Sequence, residues 1–367
     1  MASFASLPPE LVEEVVELAV PPFSPSGWKE RARTLKALCS TCKQTLPAAR
    51  RVLYREMVFN TSRDSSILVN LAVRVSSQAS LPPVAFLRIE QTCTYEPSVS
   101  GHTNVDGDVA ASEVVEKTKA RVVSLVGWSG SDLSGMQGVQ SVSFVDSSLN
   151  AWNFGSQRGK LIFTSLRRLH FHGVDFDSLH DVLTSEAFPN LVSLALDSCC
   201  IPLERDSQGS DWSDGPPLYN SVDLTKEYVP LLPQLRAAAV AHSADFEEGG
   251  TFAVLEILYV YTAEYTYRHF PRCLRVLRLL EGRYSPLEAK RVLSLLTLAD
   301  LPVLSELHLA GPTLGKVKAS DDFAAVEEWC QEKQVTLFLS PMDDLDSFTP
   351  SFWPFLDGVK DRLGLDV

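Results

Sequence analysis

The chain has 367 residues, 45% hydrophobic and 22% charged, with a formal net charge of −13. That length holds two average domains or one long repeat array, and the apolar share is ample for a core. An excess of 46 acidic over 33 basic residues repels a phosphate backbone, which argues against nucleic acid as a partner.

No run approaches the eighteen or so apolar residues of a membrane span, and the stretch Met1 to Glu14 lacks the basic and apolar regions of a signal peptide. A cytoplasmic or nuclear protein with no membrane partner is expected. The seven cysteines are odd in number and scattered, which predicts reduced thiols rather than a disulfide framework.

Leu7-Pro8-Pro9-Glu10 opens a helix, because proline lacks only an amide hydrogen that the first turn cannot use, and Glu10 suits the positive helix end. Leu11, Val15 and Leu18 follow at helical spacing. Pro21, Pro22, Pro25 and Gly27 break the pattern, and a second helix starts near Trp28 with Leu35, Leu38 and Cys42 on one stripe. Pro47 ends or kinks it, and Ala48 to Phe59 form the last helical piece. The basic stretches Lys29 to Arg33 and Lys43 to Arg55 fall on these helices, where charge ordinarily marks a solvated face. Three short helices bury little by themselves, so apolar residues beyond an internal core must face something else.

Leu7-Pro8-Pro9-Glu10-Leu11-Val12, Leu35-Lys36-Ala37-Leu38-Cys39-Ser40-Thr41-Cys42-Lys43 and Arg51-Val52-Leu53-Tyr54-Arg55-Glu56 resemble, in order, the three segments of an F-box. The resemblance covers about residues 5 to 59. Thr45 stands where that family commonly has tryptophan, and Pro21 to Gly27 lengthens the first loop. The resemblance implies docking to the adaptor subunit of an SCF-type, cullin-RING ubiquitin ligase, with Leu7, Pro8, Leu11, Val15, Leu35 and Leu38 at the contact and cullin and RING subunits as indirect partners. The alternative is a helical cap on the open end of a repeat array.

From residue 84 onward an apolar residue recurs with two more at three and five places later: Val84-Leu87-Ile89, Val122-Leu125-Gly127, Val139-Val142-Phe144, Leu166-Leu169-Phe171 and Leu191-Leu194-Leu196. It continues as Leu235-Ala238-Val240, Leu255-Leu258-Val260, Leu274-Leu277-Leu279 and Leu304-Leu307-Leu309. The pattern resembles the strand of a leucine-rich repeat, with the last two apolar residues of each unit pointing into a stacked core and their neighbours along a concave face. Outer helices are expected at 65–78, 110–120, 285–299 and 320–333. A last helix opened by Thr349-Pro350, with Phe352, Phe355, Leu356, Val359 and Leu363, is expected to close the array's end. The expected fold is therefore α/β: a three-helix F-box-like segment (1–60), a curved leucine-rich-repeat solenoid with parallel strands on its concave face (61–340), and a C-terminal capping helix (341–367). The polar stretches 92–108 and 202–223 fit no repeat, and the second, acidic one reads as a surface insertion or a flap over the concave face.

Motifs for chemistry fail on inspection. Gly155 to Lys160 has three residues between its glycines, one too few for a phosphate loop, and Leu161 follows in place of Ser or Thr. Gly127-Trp128-Ser129-Gly130-Ser131 lacks the second glycine of a nucleophile elbow. Cys39 and Cys42 have no second ligand pair at zinc spacing. No enzyme activity, cofactor or metal is expected. Alternation places Arg168, His170 and His172 on one concave strand face, with Asp175 and His180 near in sequence. Tyr259, Tyr261, Arg278 and His308 project from three later strands among aliphatic residues, the character of a binding surface for a target protein. Coverage of that patch by the acidic stretch or by the C-terminal segment is the competing expectation. The functional expectation is a ligase substrate receptor, with a plain interaction scaffold as the alternative.

Overall fold

The computed structural model describes residues 7–21, 28–41, 43, 45–60, 70, 72–73, 84–90, 105–128, 133–149, 161–176, 183–197, 232–240, 254–261, 270–281, 286–341, 348–365 and 367. His180, Cys42, residues 155–160 and the acidic stretch 202–223 lie outside them.

Helix α1 (Pro9–Ala19) begins with proline in its first turn and Glu10 at its positive end. Its buried stripe is Val12 and Val16, which pack with Leu35 of α2 (Trp28–Thr41) and with Ala48, Ala49 and Val52 of α3 (Thr45–Arg55) in a small core of their own. Thr45, which stands in place of the tryptophan, is buried and donates from Oγ1 to the Leu38 carbonyl at 2.9 Å, fastening the start of α3 to the end of α2. The piece after Arg55 is not helical: Glu56–Asn60 form strand β1, paired in parallel with β2 (Phe86–Glu90). Alternation explains the change, since Met57 and Phe59 face the same packed interior as Leu87 and Ile89. The sheet therefore begins at Glu56 rather than after residue 60, with no linker between α3 and β1.

The main body is one open, eleven-stranded, all-parallel sheet in a solenoid-like α/β arrangement. After β2 come α4 (Val105–Thr118), β3 (Val122–Val126), β4 (Ser141–Val145), the short β5 (Ser148–Leu149), β6 (Arg168–His172), the short β7 (Asp175–Phe176), β8 (Ser193–Asp197), β9 (Ala237–Val240), β10 (Ile257–Tyr261) and β11 (Val276–Leu280). Helix α5 (Ala289–Leu298), β12 (Glu306–Gly311), α6 (Leu314–Lys318), α7 (Asp321–Glu332), β13 (Thr336–Pro341) and α8 (Phe348–Leu363) complete the order. The sheet runs β1-β2-β3-β4-β6-β8-β9-β10-β11-β12-β13, while β5 and β7 pair separately. All nine repeat units fall on strands of this sheet, and β1 and β13 extend it at the two ends.

Register stacks like on like. Leu169, Phe171, Leu194, Leu196, Leu258, Leu277 and Leu307 fill one continuous core, closed by apolar residues of α4, α5 and α7. Phe144 and Phe171 stack at 5.5 Å across neighbouring strands. One unit is framed differently from the sequence expectation: Val123 and Leu125 point inward, Val122 is exposed, and Gly127 is the turn that follows the strand. Gly127, Asp146 and Gly173 occupy the same place after β3, β4 and β6, all with positive φ. At Gly173 a Cβ would stand 2.6 Å from Asp146 Oδ1, and together with the positive φ this favours glycine there.

Helix α8 does not close the end of the array. It lies across the other face of the sheet, where Phe352, Phe355, Leu356 and Val359 bury against Ala195, Ala237, Ala239, Ile257, Tyr259, Val276 and Ala310. The alanines of β8 and β9 leave room for the helix to sit close to the backbone, and the helix covers an apolar strip that would otherwise face solvent. Four such side chains contribute about 1.5–3 kcal/mol each. Pro354, within the helix, forfeits a hydrogen bond at a cost of about 3 kcal/mol. The helix accordingly depends on docking for its order.

Candidate functional site

The middle row of the sheet's second face carries, strand by strand, Ser143, His170, Ala195, Ala239, Tyr259, Arg278, His308 and Phe338. Four of the residues expected to hold a target therefore share one line, as alternation predicts. They are not open to solvent: Tyr259 is 0%, His170 3%, His308 5% and Arg278 8% exposed, because α8 covers them. Of the two competing expectations for this patch, coverage by the C-terminal segment is the one found. Arg168 is only partly exposed and ion-pairs with Asp357 of α8 while its guanidinium sits 5.6 Å from the Trp353 ring. The backbone of Tyr261 pairs with Leu280 in the next row. His172 is half-buried.

At the β12 end, Glu306 accepts from Arg362 of α8 at 2.8 Å and faces His308 Nε2 at 2.8 Å. Burial pushes the Glu306 carboxyl up, but the hydrogen bonds from Arg362 and His308 outweigh it and leave its pKa below the usual value. Burial pulls His308 down to about 4 against the attraction of Glu306, so at neutral pH it is uncharged and its Nε2–H donates to the carboxylate. His308 stacks on Phe338 at 4.4 Å and meets Phe355 edge-on.

Arg278 lies between two rings, with Cζ 5.1 Å from the Tyr259 centroid and 4.5 Å from that of Phe355. Its Nε has no hydrogen-bond partner, and no carboxylate pairs with it among the described residues. Burial lowers its pKa.

At the β6 end, His170 Nδ1 meets Ser143 Oγ at 2.7 Å and its Nε2 is buried without a partner, while Trp353 approaches edge-on. Burial holds this imidazole neutral, with a pKa of about 3. His172 is the opposite case: its Nδ1 bonds Asp197 Oδ2 at 2.7 Å, and that hydrogen bond raises its pKa. Among the described residues no group of three or more His, Cys, Asp or Glu side chains is placed to hold a metal ion, and no helix is long and apolar enough to cross a membrane.

On the N-terminal helices, Leu11, Val15 and Leu18 are 45%, 40% and 81% exposed along one stripe of α1, and Tyr54 of α3 is 46% exposed. Pro8 is exposed and Leu7 half-buried. Leu35, expected at the adaptor contact, is 1% exposed in the segment's own core, and Leu38 packs partly against that core. Leu35 holds the three helices together rather than lining a surface, and Leu38 is only partly buried. The charged stretches are solvated as expected at Lys29, Arg33, Lys43, Arg50, Arg51 and Arg55, and Arg31 is the exception. Arg31 is buried and binds Glu17 at 2.6 Å, Glu56 at 2.7 Å and the Pro21 carbonyl at 2.6 Å. Burial opposes its charge, but the bonds to Glu56 and Glu17 prevail and raise its pKa. Arg51 and Arg55 pair with Glu13, and Arg55 with Glu17.

Sequence reasoning missed Trp353, Asp357 and Arg362 as neighbours of the histidine and arginine row, since nothing local tells which face an amphipathic helix selects. The available signal was the run Ala237-Ala238-Ala239, whose small concave residues invite close approach of another element. No family model matches the chain, and no curated protein matches it in sequence.

Proposed function

We propose that this chain is a non-catalytic substrate receptor of an SCF-type ubiquitin ligase, in which the F-box-like helices dock to the adaptor subunit and a leucine-rich-repeat-like sheet holds the target. The observation that carries the reading is the second apolar stripe on α1. Val12 and Val16 already complete the internal core, yet Leu11, Val15 and Leu18 stand exposed on the same helix. An end-cap needs one apolar face; a docking helix needs two. Buried aliphatics of this kind contribute about 1.5–3 kcal/mol each to a contact. The direct passage of α3 into β1 and the Arg31 bridge to Glu56 would hold a docked target at fixed distance from the ligase, raising its effective concentration.

Co-purification with the adaptor subunit tests this. The intact chain should retain the adaptor, and a Leu11→Asp, Val15→Asp variant should lose at least tenfold in affinity while keeping its fold. Absence of adaptor from the intact complex, or equal retention by the variant, sinks the ligase reading. A second reading, an interaction scaffold with the helices as a cap, draws support from that same Arg31 bridge, which ties α1 and α2 to the sheet's first strand. It predicts target binding with no adaptor.

A further inference from the structure

Among the described residues, three of the four buried side-chain polar atoms without a hydrogen-bond partner lie on one face of the sheet: His170 Nε2, Ser193 Oγ and Arg278 Nε. All three belong to the rows that α8 crosses. The helix meets the apolar demand of this face and leaves its polar demand unmet, and a buried group without a partner is costly. Arg278 is the sharpest instance. Glu306 is already matched by Arg362 and His308, so Arg278 remains the uncompensated cation, 8% exposed, with only aromatic rings for company. The resident helix moreover carries Pro354 and Gly358, both poor helix formers, so it is ordered by the groove rather than for it.

We infer that this face is a docking groove for an amphipathic helix of a partner protein that presents a carboxylate to Arg278, and that α8 holds the groove in the partner's absence. The floor selects a helix, because Ala195, Ala237 and Ala239 admit one to close range, as α8 demonstrates. The anchor positions are those filled by Phe352, Leu356 and Val359. Phe355 marks where the carboxylate belongs: its ring lies 4.5 Å from the Arg278 guanidinium, within reach of a glutamate at the same helical position. The inference rests on reading this face as the target-holding surface. It is independent of adaptor docking.

The test uses the full chain and three labelled synthetic peptides spanning residues 348–367: the native sequence, F355Q and F355E. Affinities are read by fluorescence anisotropy against the intact chain, against an F352A/L356A chain whose own helix is loosened, and against R278M. The Glu peptide should bind about tenfold tighter than its Gln isostere, the worth of one charge-assisted contact. All peptides should bind the loosened chain better than the intact one, and the Glu-over-Gln ratio should fall to about one in R278M. Should R278M not fold, the same ratio measured on the intact chain at low and high salt takes its place, and it should shrink with salt.

Equal binding of the Glu and Gln peptides overturns the carboxylate, as does native peptide binding as tightly as the Glu form, which would instead mark exchange of α8 between copies of this chain. Failure of every peptide to bind the loosened chain overturns the groove. Adaptor co-purification is unaffected by any of these outcomes, so failure of the groove and failure of the ligase reading remain distinct.

Discussion

His170 and His308 are both kept neutral under α8, with pKa values near 3 and 4 against about 6.5 in an unfolded chain. Below pH 6.5 the unfolded chain takes up protons that the folded chain refuses, so stability must fall as pH drops from 6.5 toward 4. Each histidine adds a slope of up to about 1.4 kcal/mol per pH unit. His172 has the opposite sign: its raised pKa gives a contribution that is full below pH 6.5 and lost as pH rises through the folded value, a small effect at a half-exposed site. Urea-unfolding midpoints between pH 4.5 and 7 check this, and His308→Gln, which keeps a donor for Glu306, should flatten the decline. A flat wild-type profile contradicts the burial of both rings. Arg31→Met removes the cation shared by Glu17 and Glu56 and should cost about 3 kcal/mol, the low end for a broken buried pair because Glu17 is one-third exposed. A thermal midpoint within a degree of wild type would mean the bridge is ornamental.

At the scale of elements, α8 is the one whose sequence and position are at odds. Its apolar residues fit the sheet, but Pro354 is exposed on its outer side and serves no contact that the groove requires. Pro354→Ala restores the missing amide and should stabilise the chain by up to about 3 kcal/mol, read as a raised unfolding midpoint. A lowered midpoint would show that the proline itself is needed for the fit. Strand β3 illustrates a different conflict. Val122, Leu125 and Gly127 satisfy the spacing, yet Ala120, Val123 and Leu125 are the residues that face the core. Frames two residues apart share the parity of a strand, so the inward face was legible while the position within the unit was not.

Across the whole molecule, the helical segment and the sheet share Arg31–Glu56 and an unbroken backbone at Arg55–Glu56. They should therefore unfold together: calorimetry of the intact chain should give one transition, and an early separate melting of the N-terminal helices would contradict this coupling. The exposed stripe Leu11, Val15 and Leu18 bears no load in that unit. Leu11→Asp with Val15→Asp should change stability by less than about 0.5 kcal/mol per site, so any loss of adaptor binding reports the surface itself.

The strand pattern, the inward residues of nearly every unit, the N-terminal helices and the amphipathic C-terminal helix follow from periodicities of two and 3.6, which are local properties of the chain. The row Ser143, His170, Tyr259, Arg278 and His308 follows from the same alternation once the strands are parallel and in register. What folds over that row is not local. Whether α8 caps an end or crosses a face depends on which apolar strip, assembled from β8 to β12, is left uncovered, and no window of sequence contains that strip. The burial of Arg31, the turn of Glu56–Asn60 into a strand and the covering of Arg278 are tertiary decisions of this kind: each depends on a partner between 25 residues away, as for Arg31 and Glu56, and 77, as for Arg278 and Phe355.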